Sequence, residues 1–338
     1  MLSPICNIIV FCKDNKKKII FNKINEINVT TSIHNLTDTC TITLPKNFTN
    51  KKGNTIFDYL TQGDEIIVKT KYAEHKDWHQ IFRGYITNIN DTTPATITCQ
   101  NEMYRLKKVL VQPEKIEQFN LETWFKKYVN DIKIKTVGDI KFGSLDINSE
   151  MTMAEALLKL LDVYSFLKCY FYKDELVFTM LASPSAEKDA IVLSIGKNVI
   201  TDSLEYVKAE DVKVCIKATS IIVRQNKNEK LEVMLPEGAK NLKDYEQRHF
   251  HVPECTTEKE LRTFAENKLK EFKVDKLTGS VTLFGVPRVE KTDIVHILSP
   301  RKNFNDRLFF VDAVTYQFGL NGYRQIVNLG YQIKKTMQ

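Results

Sequence analysis

Between Gly63 and Glu102, apolar and polar residues alternate in three bursts separated by turn residues. Residues 65–71 alternate strictly, a polar tip follows around 74–78, residues 81–89 alternate again, and a turn at 91–94 sends 95–100 back. A period of two, broken by Gly, Asp-Thr and Pro, predicts three consecutive antiparallel strands with one buried face each. The pattern returns near the C-terminus, over 291–333.

Asp64 opens the first stretch and Asp293 the second. Asp64 to Phe82 spans 18 positions and Asp293 to Phe310 spans 17; Phe82 to Ile97 spans 15 and Phe310 to Ile326 spans 16. Upstream, 36–44 (LTDTCTITL) is echoed by 277–283 (LTGSVTL). The spacing suggests an internal duplication of a β-module, although two β-meanders of low identity also align by chance.

The rest of residues 1–105 reads as strands too: a hairpin 7–13/18–22, then 26–32 and 39–44, with a loop and a short helical turn over 46–61. Between 106 and 182 the period changes. Leu121, Trp124, Phe125 and Tyr128 fall on one helical face, and Thr152 with Glu155 forms a capping-box pair ahead of Ala156, Leu157, Leu160, Leu161 and Tyr164. A hairpin 167–172/175–181 closes this segment. Strands resume from 190, a polar excursion covers 224–248, and a second capping-box pair, Thr257 and Glu260, opens a helix carrying Leu261, Phe264, Ala265, Leu269 and Phe272. The expected organisation is a mainly β, α+β chain. It has a first β-barrel domain at 1–105, a small α+β domain at 106–182, and a second β-barrel domain at 183–338 with a helical insertion at about 224–275.

Length and composition fit a multidomain globular protein: 338 residues, 43% hydrophobic and 27% charged. The net charge is +7, but the basic residues are mostly Lys scattered along the chain, which solvates a surface more readily than it builds a nucleic-acid site. Seven unpatterned cysteines predict free, buried thiols of a protein made in a reducing cytoplasm. The apolar start at 2–12 lacks a basic flank and a cleavage site, so it reads as a strand, and no apolar run is long enough to span a bilayer. A soluble protein, with no membrane partner, is the expectation.

The chain has no phosphate-binding glycine loop, dinucleotide fingerprint, HExxH or nucleophile elbow. His249, His251 and Cys255 have donor chemistry for a metal but lack an evident fourth ligand, and the pairs Glu210–Asp211 and Asp202–Glu205 match no catalytic pattern. No cofactor, metal or catalytic residue is expected. Two strand-joining tips stand out instead: 71–80, with Trp78 between His75 and His79, and 299–306, with Phe304 beside Arg301. Aromatics among polar tip residues suggest docking loops.

Taken together, GDEI at 63–66, IFRGYI at 81–86, TITCQNE at 96–102, YRL at 104–106 and the Thr-Glu helix entered from His251-Val252-Pro253 resemble the baseplate hub, or late control, proteins of contractile-tailed phages and related injection machines. The resemblance implies a homotrimer with two tail-tube-like barrels per subunit, a structural adaptor between a sixfold tail tube and a threefold central spike. It also implies contacts with other baseplate proteins and a place in a virion or injection-machine baseplate, after synthesis in bacterial cytoplasm. No spike or lysozyme domain is fused here, so those functions would lie on separate chains. A nucleic-acid-binding β-protein and a tail-associated cell-wall-degrading enzyme are the alternatives of other classes; specific nucleic-acid binding is not expected.

Overall fold

The computed structural model describes residues 3–13, 17–45, 55–116, 119–137, 145–163, 167–179, 189–224, 227–237, 245–252, 255–273, 276–301 and 306–333. The chain divides into two compact units. One comprises Met1–Val163, Leu167–Ser203 and Gly279–Gln338; the other comprises Tyr164–Phe166 and Leu204–Thr278. Strand dominates, as the alternation predicts, and no helix among the described residues is long and apolar enough to cross a membrane.

In the first unit the predicted meanders are strands β1 (Pro4–Phe11), β2 (Lys18–Phe21), β3 (Glu26–Ser32), β4 (Thr39–Leu44), β5 (Glu65–Tyr72), β6 (His79–Asn90) and β7 (Ala95–Gln100). Those near the C-terminus are β8 (Ile191–Ser194), β9 (Val199–Asp202), β10 (Ser280–Phe284), β11 (Ile294–Leu298), β12 (Arg307–Gly319) and β13 (Gly322–Ile333). All belong to one 13-stranded sheet, ordered β9-β10-β13-β12-β3-β4-β7-β6-β5-β1-β2, with β11 on β12 and β8 on β11. No sheet among the described residues closes into a barrel. The two modules are instead continuous, because β12 pairs with β3.

The duplication is visible in this order. The array β3-β4-β7-β6-β5-β1 repeats as β9-β10-β13-β12-β11-β8. They differ at the last pair, since β1 runs antiparallel to β5 while β8 runs parallel to β11. Each array buries one face. Ile8, Val10, Ile27, Ile42, Ile66, Val68 and Ile97 fill the first, and Val281, Leu283, Val295, Ile297, Phe309, Phe310 and Val327 the second. Facing side chains such as Thr39, Thr41 and Thr43 stay on the wetter side. Cys40 and Cys99 meet across β4 and β7 as buried free thiols, and burial pushes the Cys40 thiol well up.

The equivalence extends to the corner that opens β5 and β11. Gly63 (φ 96°) and Thr292 (φ 77°) both take a left-handed backbone. The Gly63 amide donates to Ile86 O at 2.8 Å, and the Thr292 amide to Val311 O at 2.9 Å. Asp64 accepts from the Thr61 amide and Asp293 from the Glu290 amide, both at 2.8 Å. Both aspartates are buried. Downstream, each strand carries a bulge, between Ile86 and Asn88 in β6 and between Val311 and Ala313 in β12.

This register corrects two positions of the sequence alignment. Glu65 pairs with Tyr85 and Ile294 with Phe310, so Phe310 corresponds to Tyr85, three residues beyond Phe82. Ile97 pairs with Ile89 and Val327 with Val314, so Ile97 corresponds to Val327, the neighbour of Ile326.

Between the arrays, strands Lys133–Val137, Glu175–Thr179 and Lys168–Tyr172 form a three-stranded sheet, with helices Leu121–Tyr128 and Met153–Val163 in the same segment. The predicted capping at Thr152 is present. Its hydroxyl accepts from the Glu155 amide at 3.3 Å, and the Glu155 carboxylate accepts from the Thr152 amide at 2.8 Å. The Lys173-Asp174 turn takes positive φ at both residues, the geometry of a two-residue hairpin loop.

The second unit has its own core. Strand Val214–Arg224 pairs antiparallel with Lys227–Leu235 and parallel with Glu246–His251, and helix Glu258–Phe272 packs over the first two. Leu261 and Ala265 of the helix meet Val214, Ile216, Ala218 and Val233 of the sheet. Thr257 and Glu260 complete the capping box that the sequence announces.

Candidate functional site

Strand β5 runs into the first tip with its alternation intact, so Tyr72 points inward and Lys71 outward. The Lys71 ammonium donates to His75 O at 3.0 Å and sits 5.2 Å from the centre of the Trp78 ring. Tyr72 meets His75 edge-on, and Glu74 accepts from the Ser3 amide. The tip is therefore tied to its own strands, while Trp78 keeps 37% of its surface exposed. His75 is exposed and His79 half-buried. Desolvation, helped by the Arg288 guanidinium, lowers the His79 pKa and keeps its ring neutral at physiological pH.

The second tip joins β11 to β12, as the first joins β5 to β6, so the two hold equivalent places in the arrays. Phe304 lies outside the described residues. Arg301 is exposed and donates to Asp202 at 2.6 Å. That contact gives both residues a local electrostatic role, which neither position suggested in the sequence.

The remaining candidates are not assembled into a centre. His249 and His251 alternate on one face of an exposed strand, whereas Cys255 packs against the apolar core under the helix. Among the described residues no three His, Cys, Asp or Glu side chains are placed to hold a metal. Glu210 and Asp211 sit on an exposed helical turn, with Glu210 3.4 Å from Lys208.

Sequence reasoning missed the joint between the two arrays. Beside the β12–β3 ladder, Lys291 donates to both carboxylate oxygens of Asp38 at 2.8 and 2.7 Å and to Ser32 O at 3.3 Å. The two side chains are only 6% and 11% exposed. Burial pushes the Asp38 carboxyl up and the Lys291 ammonium down, against their mutual attraction. Tyr72 of β5 reaches across as well: its hydroxyl accepts from the Gly285 amide at 2.9 Å and donates to Tyr323 O at 3.4 Å. Arg288 donates to Gln80 O at 2.6 Å. A cavity of about 140 Å³ opens here, but three of its wall cations already hold carboxylates, Arg83 those of Glu65 and Asp174, Arg288 that of Glu290, and Lys291 that of Asp38, while the Lys173 ammonium lies 5.3 Å from the centre of the Tyr172 ring. Its chemistry is that of a cross-linked joint. The only available signal was a Lys one position before the corner Thr292, too common a residue to single out.

No protein-family model matches the chain, and no curated protein matches it by sequence. Solved structures do. The 43 kDa tail protein of prophage MuSo2 from Shewanella oneidensis aligns with a TM-score of 0.60 at 15% identity, over 96% of this chain and 97% of that one. A tail protein from Neisseria meningitidis aligns with a TM-score of 0.62 at 11% identity, over 98% and 97%. A chain of the Francisella PdpA-VgrG complex gives 0.52 at 9% identity, over 100% of this chain and 60% of that one. From its first strand to its last, the chain shares the fold of phage-type tail proteins.

Proposed function

We propose that the protein is a non-enzymatic, structural component of a phage-type tail or injection machine, working as a homotrimeric hub between a sixfold tail tube and a threefold spike. The observation that carries this reading is the duplicated six-strand array held in one continuous sheet. Three chains would present six like arrays to a tube, yet remain threefold for a spike. The fold shared with tail proteins supports the same placement, in a baseplate beside other baseplate proteins. In this reading 1–105 and 183–338 are the tube-like domains, joined edge to edge through β12 and β3. Residues 106–182 form the domain between them, and 224–275 the insertion.

The two tips, with His75, Trp78 and His79 on one and Arg301 and Phe304 on the other, are the docking loops for neighbouring rings. Light scattering on the purified protein is expected to give three times the mass of one chain. Trp78→Ala should leave that mass and the thermal midpoint unchanged while weakening binding to tube or spike protein by about 2 kcal/mol or more. If instead stability falls and the folded variant binds its partners as before, Trp78 is a core residue and the first tip is no docking loop.

A further inference from the structure

Strand β12 serves two neighbours along one edge. Its start pairs with β11, from Ile294↔Phe310 to Ile297↔Arg307. Past the bulge the same edge pairs with β3, from Ala313↔Ser32 to Phe318↔Ile27. The Ile33 amide donates to Asp312 O at 3.0 Å where the second ladder begins. The bulge is thus the point at which β12 passes from its own array to the other one.

Strand β6 has the same bulge and the same first neighbour, since β5 covers it from His79 to Tyr85. Beyond Ile86 no strand among the described residues continues on that edge. By the equivalence above, Thr87 stands where Asp312 stands and Ile89 where Val314 stands. Both therefore turn backbone N–H and C=O groups outward, as alternation requires. Sheet edges exposed to water are ordinarily guarded by Lys, Pro or a covering loop. This one reads Thr87, Asn88, Ile89, Asn90, with Asn88 and Asn90 exposed and no charge. At the other end of the sheet, β9 holds the place of β3 in its array, with β10 on one side and, on the other, no strand of the sheet among the described residues, only a single bridge from Val199 to Ile195. It carries the exposed apolar residue Ile200, 38% accessible.

We propose that the 87–90 edge of β6 pairs antiparallel with the outer edge of the β9 segment of a second copy, so that the array-to-array joint inside the chain recurs between chains. This rests on the self-association proposed above and names the surfaces that carry it. The two edges differ, so the contact is head-to-tail, and a fixed rotation between like arrays closes it into a ring.

Two measurements test it on the full chain. Pro is tolerated on an edge strand where its missing N–H faces solvent, so Ile89→Pro should fold with a near-parental thermal midpoint yet self-associate about tenfold or more weakly by light scattering, having lost an inter-chain hydrogen bond and its neighbours' register. Ile89→Val, which keeps the N–H, should associate as the parent does. In hydrogen exchange of the parent protein, the Thr87 and Ile89 amides should become protected as concentration rises through the association range. A trimer whose Thr87 and Ile89 amides exchange equally fast when dilute and concentrated, or an Ile89→Pro variant that folds and associates normally, overturns the edge pairing and leaves the trimer standing. A parent that stays monomeric at every concentration removes both.

Discussion

The corners at Gly63–Asp64 and Thr292–Asp293 have the same backbone path, the same amide-to-carboxylate bond and the same link to the adjoining strand, yet differ one residue upstream. Gln62 is exposed. Lys291, at the matching place, is buried and bonded to Asp38 of the other array. One corner looks onto water, the other is built into the joint. A duplicated module can thus keep its strand order and still acquire one side made for a partner within the chain and another left open.

That contrast is most sharply broken at the joint. Lys291→Met leaves the Asp38 carboxylate buried without its counter-ion and is expected to cost about 3–5 kcal/mol in urea unfolding. Adding Asp38→Asn should return much of the loss, because the stranded charge goes with it. A single substitution that costs nothing would mean that the pair is incidental and the arrays are joined by the β12–β3 ladder alone. Gln62→Met, the same change at the open corner, should be near neutral.

The corner carboxylates sharpen the likeness. Asp64→Ala and Asp293→Ala each remove the acceptor of the amide three residues upstream at a half-buried corner, and Asp64→Ala that of the Lys13 amide as well. About 2–3 kcal/mol is expected for each in the same denaturation series. If one of the two were silent, the corners would be alike in trace but not in energetics.

The smallest effect comes from the residues with positive φ. Gly63→Ala places a Cβ on a left-handed backbone, 3.2 Å from Tyr104 Oη, and should lower stability by about 1–2 kcal/mol. Thr292→Gly removes the same strain from the second corner and should raise it by up to about 1 kcal/mol. Differential scanning calorimetry on the pair checks both signs. Thermal midpoints that move the same way would show that the two corners are not held by the same local geometry.

The local features of this fold were legible in the chain. Period-two alternation marked nearly every strand of the large sheet, both capping boxes stood where Thr and Glu lie three apart, and the Lys173-Asp174 turn closed its hairpin. Asp64 and Asp293 were matched correctly because each opens the first strand of its alternating stretch. Counting onward through Phe82 and Phe310 failed. The first hairpin is four residues longer, with 22 positions from Asp64 to Ile86 against 18 from Asp293 to Val311, and loop length leaves no trace in hydrophobic period. The joint was not legible at all. Ser32 and Ala313 are neighbours across 281 positions, and β3 and β12 carry the same alternation as strands that meet someone else. Pairing of that kind is decided by which edges remain free once the local hairpins have formed, a property of the assembled sheet. Of the candidate tip residues, His75 and Trp78 lie between β5 and β6, His79 opens β6, and Arg301 is held by Asp202, while His249 and His251 share an exposed strand and Cys255 packs against the apolar core.

The segment Leu204–Thr278 is flanked by two residues that meet within the first unit. In the first array β3 passes to β4 through 33–38; in the second array β9 passes to β10 through Leu204–Thr278. At that threshold the Ser203 amide donates to Ser280 O at 2.9 Å, and the two hydroxyls lie 2.9 Å apart. A chain clamped at its exit and re-entry bears little of the burden of what lies between, because closure entropy grows only with the logarithm of loop length, about 0.6 kcal/mol per doubling. The position is therefore one where evolution can lengthen, shorten or exchange the intervening segment without renegotiating the sheet. A short turn spliced between Ser203 and Gly279 should leave the large sheet able to fold, and a foreign domain with adjacent termini should be accepted at the same place.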